Sequence, residues 1–193
     1  MADEKTTPGR TLGRKAPPAG KTARAPRSGR TRAASAPPPS PIELLGELQA
    51  LLAEPRSPEA LRRGLQVLDR RFAPRSIFAS THDPAFDRLA VALARGRADP
   101  RVKAAVPGEG AVGRAFSEKA LRTERGGALV AVPMVVRDRA LGVITLLGGA
   151  FTGEEGAPSA DEAAWLQAFA SACGAALDMS LTRSELEQRT RDL

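Results

Sequence analysis

Apolar residues recur along this chain with two periods, and the changes of period mark its elements. Leu44, Leu45, Leu48, Leu51 and Leu52 recur at helical spacing, which predicts an amphipathic helix over residues 41–56 with one apolar stripe. Ser40 suits its N-cap, Pro41 its first position and Glu43 a capping box, and Pro55 stops it. A second start follows at Ser57-Pro58-Glu59, and Leu61, Leu65 and Leu68 carry the stripe to Phe72 before Pro74 ends it. The pattern then becomes strand-like. Residues 76–80 predict a short strand, and His82-Asp83-Pro84 a turn that leaves His82 solvated. Residues 87–94 suit strand or helix; the strand is favoured, with Leu89, Val91 and Leu93 on one face. Residues 102–106 predict a further strand closed by Pro107. Residues 111–121 predict a short helix, joined by a brief polar link over 122–127 to the strongest signal in the chain.

That signal is Ala128 to Phe151, two apolar runs separated by Arg137-Asp138-Arg139. Three charges between runs rich in Val, Leu and Ile belong in a turn, so the stretch predicts a β-hairpin at the centre of an antiparallel sheet. Period two sends Ala128, Val130, Val132, Met134 and Val136 to one face and Leu129, Ala131, Pro133 and Val135 to the other. Neither set is polar, so both faces need a cover. Pro133 cannot donate to a ladder and marks a bulge, an edge or a break. Ser159-Ala160-Asp161-Glu162 is a second capping box. The helix it starts has a stripe of Leu166, Phe169, Ala170, Cys173, Leu177 and Leu181. Beyond Leu181 it turns polar apart from Leu186, as a helix does when it projects or pairs with a copy of itself. The fold class is α+β, an antiparallel sheet flanked by N- and C-terminal helices.

Composition changes this picture at the N-terminus. The chain has 193 residues and a net charge of +7. Residues 1–40 hold nine Lys and Arg against Asp3 and Glu4, so the tail carries the whole excess and the remainder is neutral. Seven prolines and few large apolar side chains predict disorder there. Nine cations can neutralise phosphates of a nucleic acid or meet an acidic protein, but no aromatic residue interleaves them as a stacking platform. A solvated tail is the plainer reading. One cysteine and one histidine exclude a disulfide framework, a cysteine-built zinc site and a multi-histidine metal site. No nucleophile–base pair or carboxylate pair stands in a convincing setting, so an enzyme and a cofactor are not expected. The N-terminus lacks a signal-type apolar core and no run is long enough to span a bilayer. A cytoplasmic location without membrane contact follows, and the Arg-, Ala-, Gly- and Pro-rich composition suggests a GC-rich bacterial genome.

Gly108, Gly110 and Gly113 form a G-x-G-x-x-G pattern. A dinucleotide site would need a parallel strand before it, a full crossover helix after it and an acidic residue ending the next strand. Here a proline precedes the first glycine, the helix is short and the next strand belongs to a hairpin.

The same residues support another reading. Pro107-Gly108-Glu109-Gly110-Ala111-Val112-Gly113-Arg114-Ala115-Phe116 resembles the glycine turn and helix of the GAF domain family, which comprises sensory modules of bacterial signalling proteins. Ala131-Val132-Pro133-Met134 with Ala140-Leu141-Gly142-Val143-Ile144 is similar to that family's central strands. Phe151-Thr152-Gly153-Glu154-Glu155 resembles its lead-in to the last helix. The resemblance covers roughly residues 58–182 and divides the chain into a tail (1–40), an amphipathic helix (41–56), a GAF-like domain (57–182) and a polar helix end (183–193). It implies terminal helices on one sheet face and a ligand pocket on the other, beneath the short helix. A small molecule there would meet Phe78, Val112, Phe116 and Val132, with Ser80, Glu109 and Arg114 as polar partners. The family's segment between short helix and central strand is longer than residues 121–127, so the pocket should be small or open. The family's reductases of free methionine sulfoxide need several cysteines, which this chain lacks. Two functions follow: a non-enzymatic sensory or regulatory module acting through a signalling partner, or a ligand-free dimerisation scaffold, paired through its terminal helices, whose tail contacts DNA or an acidic protein.

Overall fold

In the computed structural model, the described residues are 57–103, 105–124 and 126–191, together with Gly46, Gln49 and Ala50, which are helical and exposed. The remainder of the helix expected over 41–56, and the tail, lie outside the described residues.

The elements run α1 (Ser57–Phe72), β1 (Ser76–Asp83), β2 (Arg88–Gly96), α2 (Pro100–Lys103), α3 (Gly110–Glu118), β3 (Arg122–Glu124), β4 (Leu129–Val136), β5 (Arg139–Leu147), a 3-10 turn (Glu154–Gly156) and α4 (Ala160–Arg191). The five strands form one antiparallel sheet in the order β2-β1-β5-β4-β3. The predicted hairpin is β4–β5, and it occupies the middle of the sheet with β1. Its turn is Arg137-Asp138 alone. Both residues take positive φ, 48° and 63°, the geometry of a two-residue hairpin turn that follows strand twist. Arg139 already pairs with Val136. Pro133 is tolerated because β3 pairs with β4 only as far as Ala131, and the register shifts between Met134 and Val135.

The two apolar sets of the hairpin do face opposite covers. Val130, Val132 and Met134 join a cluster with Leu61, Leu65, Leu68 and Phe72 of α1 and Trp165, Leu166, Phe169, Cys173 and Leu177 of α4. Leu129 and Ala131 join a smaller cluster with Phe78, Val143, Leu147, and Ala111, Val112 and Ala115 of α3. The second capping box forms as expected. Glu162 Oε2 accepts from the backbone N–H of Ser159 at 2.9 Å and of Thr152 at 3.0 Å, and Ser159 Oγ accepts from Glu162 N at 3.4 Å. This buried carboxylate fixes both the start of α4 and the loop after Phe151.

Five local expectations are corrected. β1 runs on through His82 and Asp83, so the turn is Pro84–Asp87. Leu93 does not share a face with Leu89 and Val91: a bulge at Ala92 lets Ala79 pair with Leu93 and Ser80 with Val91, and the extra residue reverses the alternation. The strand expected over 102–106 is replaced by the single-turn helix α2. Asp99 caps it, its Oδ1 accepting from Arg101 N at 2.9 Å, and Pro100 takes the first position. The helix expected to reach Leu121 stops at Glu118, where Lys119 turns left-handed at φ 54°. The chain then pairs as β3 where a plain link was expected.

Candidate functional site

The sheet face beneath α3 is where the predicted site residues were expected to meet. Phe78 and Ser80 project from β1 onto it, flanked by Val143 and Ala131. Val112 and Phe116 descend from α3. Phe116 is half-buried, and its ring lies 4.8 Å from that of His82. His82 is therefore not simply solvated: it caps this face, and its Nε2 donates to Asp87 Oδ1 at 3.1 Å. Val132 does not join the group. Its side chain faces α1 and α4, as period two along β4 requires. Glu109 and Arg114 are exposed at the start and outer side of α3. Arg114 Nε donates to Gly110 O at 3.1 Å.

Tight turns seat α3. Gly108 and Gly110 take φ of 84° and 60°, which side chains avoid. A Cβ on Gly113 would run into the carbonyl oxygen of Val106, so the helix presses directly on the preceding loop. The glycine pattern thus serves a close backbone approach. Its N-terminus is occupied from within: Glu124 Oε1 accepts from Ala111 N at 3.3 Å, and Glu124 Oε2 from Arg101 at 3.3 Å. A hollow of about 190 Å³ opens there, between Arg101, Glu109, Val112 and Leu129. The Arg101 side chain, hydrogen-bonded to Asp99, holds the Asp99 carboxyl below its ordinary value.

Two buried hydroxyls distinguish this face. Ser80 Oγ and Thr145 Oγ1 are fully buried and have no hydrogen-bond partner. Thr145 stands opposite Ala131 and Phe78 in the register, and Ser80 opposite Val143, so both belong to the α3 side of the sheet. Thr145 was not among the expected residues, although it is the one hydroxyl in the run from Gly142 to Leu147 and period two aligns it with Val143. Leaving a buried hydroxyl unpaired costs about 1–3 kcal/mol.

The opposite face holds the single cysteine. Cys173 is buried among Met134, Phe169 and Leu177, and burial pushes its thiol up to about 12. It is neither an accessible nor an ionised nucleophile at neutral pH. A larger hollow, about 590 Å³, opens on that side near the end of β1.

This fold, a five-stranded antiparallel sheet with flanking helices, matches a set of solved structures. The GAF domain of a phosphoenolpyruvate-protein phosphotransferase from Coxiella burnetii matches with a TM-score of 0.62 at 14% identity, over 75% of this chain and 98% of that one. The chain has the GAF fold. The nlh2 GAF domain of A. aeolicus, solved in an inactive state, gives 0.57 at 19% identity over 72% and 95% of the two chains. A free methionine-R-sulfoxide reductase from Neisseria meningitidis, solved with its substrate, gives 0.59 at 16% identity over 72% and 89%. No family model matches the chain, and no curated protein matches it in sequence. On this GAF fold the implied layout of helices and sheet is realised, with α3 packed on the sheet face opposite the terminal helices. Among the described residues no helix is long and apolar enough to cross a membrane.

Proposed function

We propose that this chain is a non-enzymatic regulatory module that binds a small molecule between α3 and the sheet and passes the change to a partner, within bacterial cytoplasmic signalling. The observation that carries this reading is the pair of unpartnered hydroxyls, Ser80 and Thr145, fully buried in an otherwise apolar cluster. An apolar wall with a few convergent polar groups is how small-molecule sites are built. Phe78, Val112 and Phe116 supply the wall. Glu109 sits at the rim of the opening near Leu129, and Arg114, exposed on the outer side of α3, completes the proposed polar set. The occupant is then small, largely apolar and equipped with groups that bond two hydroxyls. Val132 belongs to the helix side and is left out of the set.

Reductase chemistry has no support from Cys173, whose thiol is buried and neutral. The output passes through α4, whose far end exposes Met179, Leu181 and Leu186 and suits pairing with a second copy. The close packing of the α3 face favours the second reading, a ligand-free dimerisation scaffold whose basic tail meets DNA or an acidic protein. A thermal-shift panel of small metabolites separates the two. The sensor reading predicts a compound that raises the Tm of the full chain and loses its effect in Ser80→Ala/Thr145→Val. If every stabilising compound acts equally on that variant, the site is elsewhere.

A further inference from the structure

The two ends of the five-stranded sheet differ in length and in charge. β3 closes one end with three residues, and Pro133 has no N–H to offer just past the point where β3 stops pairing with β4. β2 forms the other end with nine residues and pairs with β1 along one side only. Among the described residues, one backbone bond is made on its outer side: Leu89 N–H donates to Ala105 O at 2.9 Å. Beyond that point Ala92, Ala94, Arg95 and Gly96 are exposed. An edge of this kind presents N–H and C=O groups ready to pair with another strand.

Charge is uneven in the same place. Residues 57–103, which supply α1, β1, β2 and α2, hold ten Lys and Arg against five Asp and Glu, while residues 104–193 hold nine against twelve. Arg62 and Arg95 line a hollow of about 200 Å³ between α1 and β2. Each already meets a carboxylate, Glu59 at 3.6 Å and Asp69 at 2.9 Å. Arg88 and Arg97 are exposed and have no carboxylate partner among the described residues. Arg88 lies 4.7 Å from the ring of Phe86, which is 69% exposed in the turn leading into β2. An exposed aromatic with a stacked arginine is the kind of pair that anchors an interface.

We propose that the outer edge of β2 takes up an extended acidic segment of a partner protein as a sixth strand. The backbone supplies the pairing and the side chains select the charge. The run from Val91 to Gly96 spans about 20 Å, with Phe86 and Arg88 before it and Arg97 after it. Carboxylates of the incoming strand meet Arg88 and Arg97 at the two ends of that run. A second copy of this chain is a poorer occupant. Antiparallel pairing of two β2 edges brings Arg88 of one chain toward Arg95 and Arg97 of the other, and like charges set opposite each other disfavour the pair. The bulge at Ala92 acts in the same direction, since bulges and charges guard an edge against indiscriminate pairing. A nucleic acid would meet the arginines through its phosphates and leave the strand edge unpaired. This surface lies apart from Ser80 and Thr145, and its use does not depend on a ligand there.

The test follows the fluorescence anisotropy of a labelled peptide, Thr-Glu-Val-Glu-Val-Glu-Thr, titrated with the full chain. The proposal predicts binding that weakens about tenfold in Arg88→Glu/Arg97→Glu. It also predicts a loss of about tenfold for one of two peptides N-methylated at alternate residues, the one whose methyl groups face β2. Hydrogen exchange should show the peptide slowing the amides of residues 90–96, with residues 111–116 and 122–124 unchanged. Binding that survives both methylated peptides, or that survives the charge reversal, is ionic contact elsewhere, such as the basic tail, and overturns the proposal. Absence of peptide binding, or protection that leaves out residues 90–96, overturns it as well. So does a thymidine oligonucleotide of equal charge that displaces the peptide and protects the same residues.

Discussion

The two faces of the central sheet are built from the same alternating strands and differ in what covers them. The helix side packs Phe72, Phe151, Trp165 and Phe169 together, with ring centroids 4.8–5.7 Å apart. Two long helices lie over this cluster, and Arg71 stacks 4.8 Å from the Trp165 ring. Of the polar groups buried there, the Cys173 thiol asks for no hydrogen bond and the Trp165 indole N–H has none. The α3 side is roofed by the nine-residue α3 and the single-turn α2 and keeps two hydroxyls that do ask for partners. Large aromatic surface makes the helix side the store of stability, since burial scales with apolar area. Small side chains and unsatisfied hydroxyls make the α3 side cheaper to open and better matched to a ligand. On the proposed function, stability and recognition are divided between the faces of one sheet.

The comparison breaks first at Phe169, which is fully buried. Phe169→Ala should cost about 3–5 kcal/mol in denaturant unfolding, as aromatic truncations in cores do; a loss below about 1 kcal/mol would remove the helix side as the stabilising layer. Cys173 sharpens the contrast next. Its thiol rises from 9.0 to about 12 in the fold, so its thiolate fraction at pH 8 is about a thousandfold lower than in the unfolded chain. Labelling by iodoacetamide should slow accordingly in native protein. The folded state binds this proton more tightly, so the contribution to stability is complete below pH 9 and is lost as pH rises from 9 toward 12. Cys173→Ala should remove that part of the alkaline slope in a pH series of unfolding curves. The smallest effect has the opposite sign. Ser80→Ala and Thr145→Val each delete an unpaired buried hydroxyl and should stabilise the ligand-free chain by about 1 kcal/mol, seen as a Tm increase of about 2–4 °C. Destabilisation by either would mean that its hydroxyl is already satisfied.

Period and punctuation made most of this fold legible. The central hairpin, the two helices beginning at Ser57 and Ser159, and the short helix after the glycines all followed from local signals. The misses have specific causes. Asp99-Pro100 was a helix start overlooked just ahead of the short apolar run at 102–106. β3 is a three-residue edge strand, too short for any alternation to declare it, and it exists because β4 offers a partner. The bulge at Ala92 is a tertiary adjustment that shifts Leu93 across the sheet with no sequence mark beforehand. The candidate site was read in part. Phe78, Ser80, Val112 and Phe116 converge because they lie on elements whose faces could be counted. Val132 was assigned against its own periodicity, since the hairpin's alternation already set it apart from Leu129 and Ala131. Thr145 was countable in the same way.

The central claim is that the α3 face holds a small molecule through Ser80 and Thr145. Native mass spectrometry of the full chain, purified gently from bacterial cells beside the Ser80→Ala/Thr145→Val variant, tests it most directly. The account predicts a reproducible added mass of one small molecule per chain that the double variant loses while remaining folded. A wild-type chain that carries no added mass, or an adduct retained equally by the variant, would contradict it.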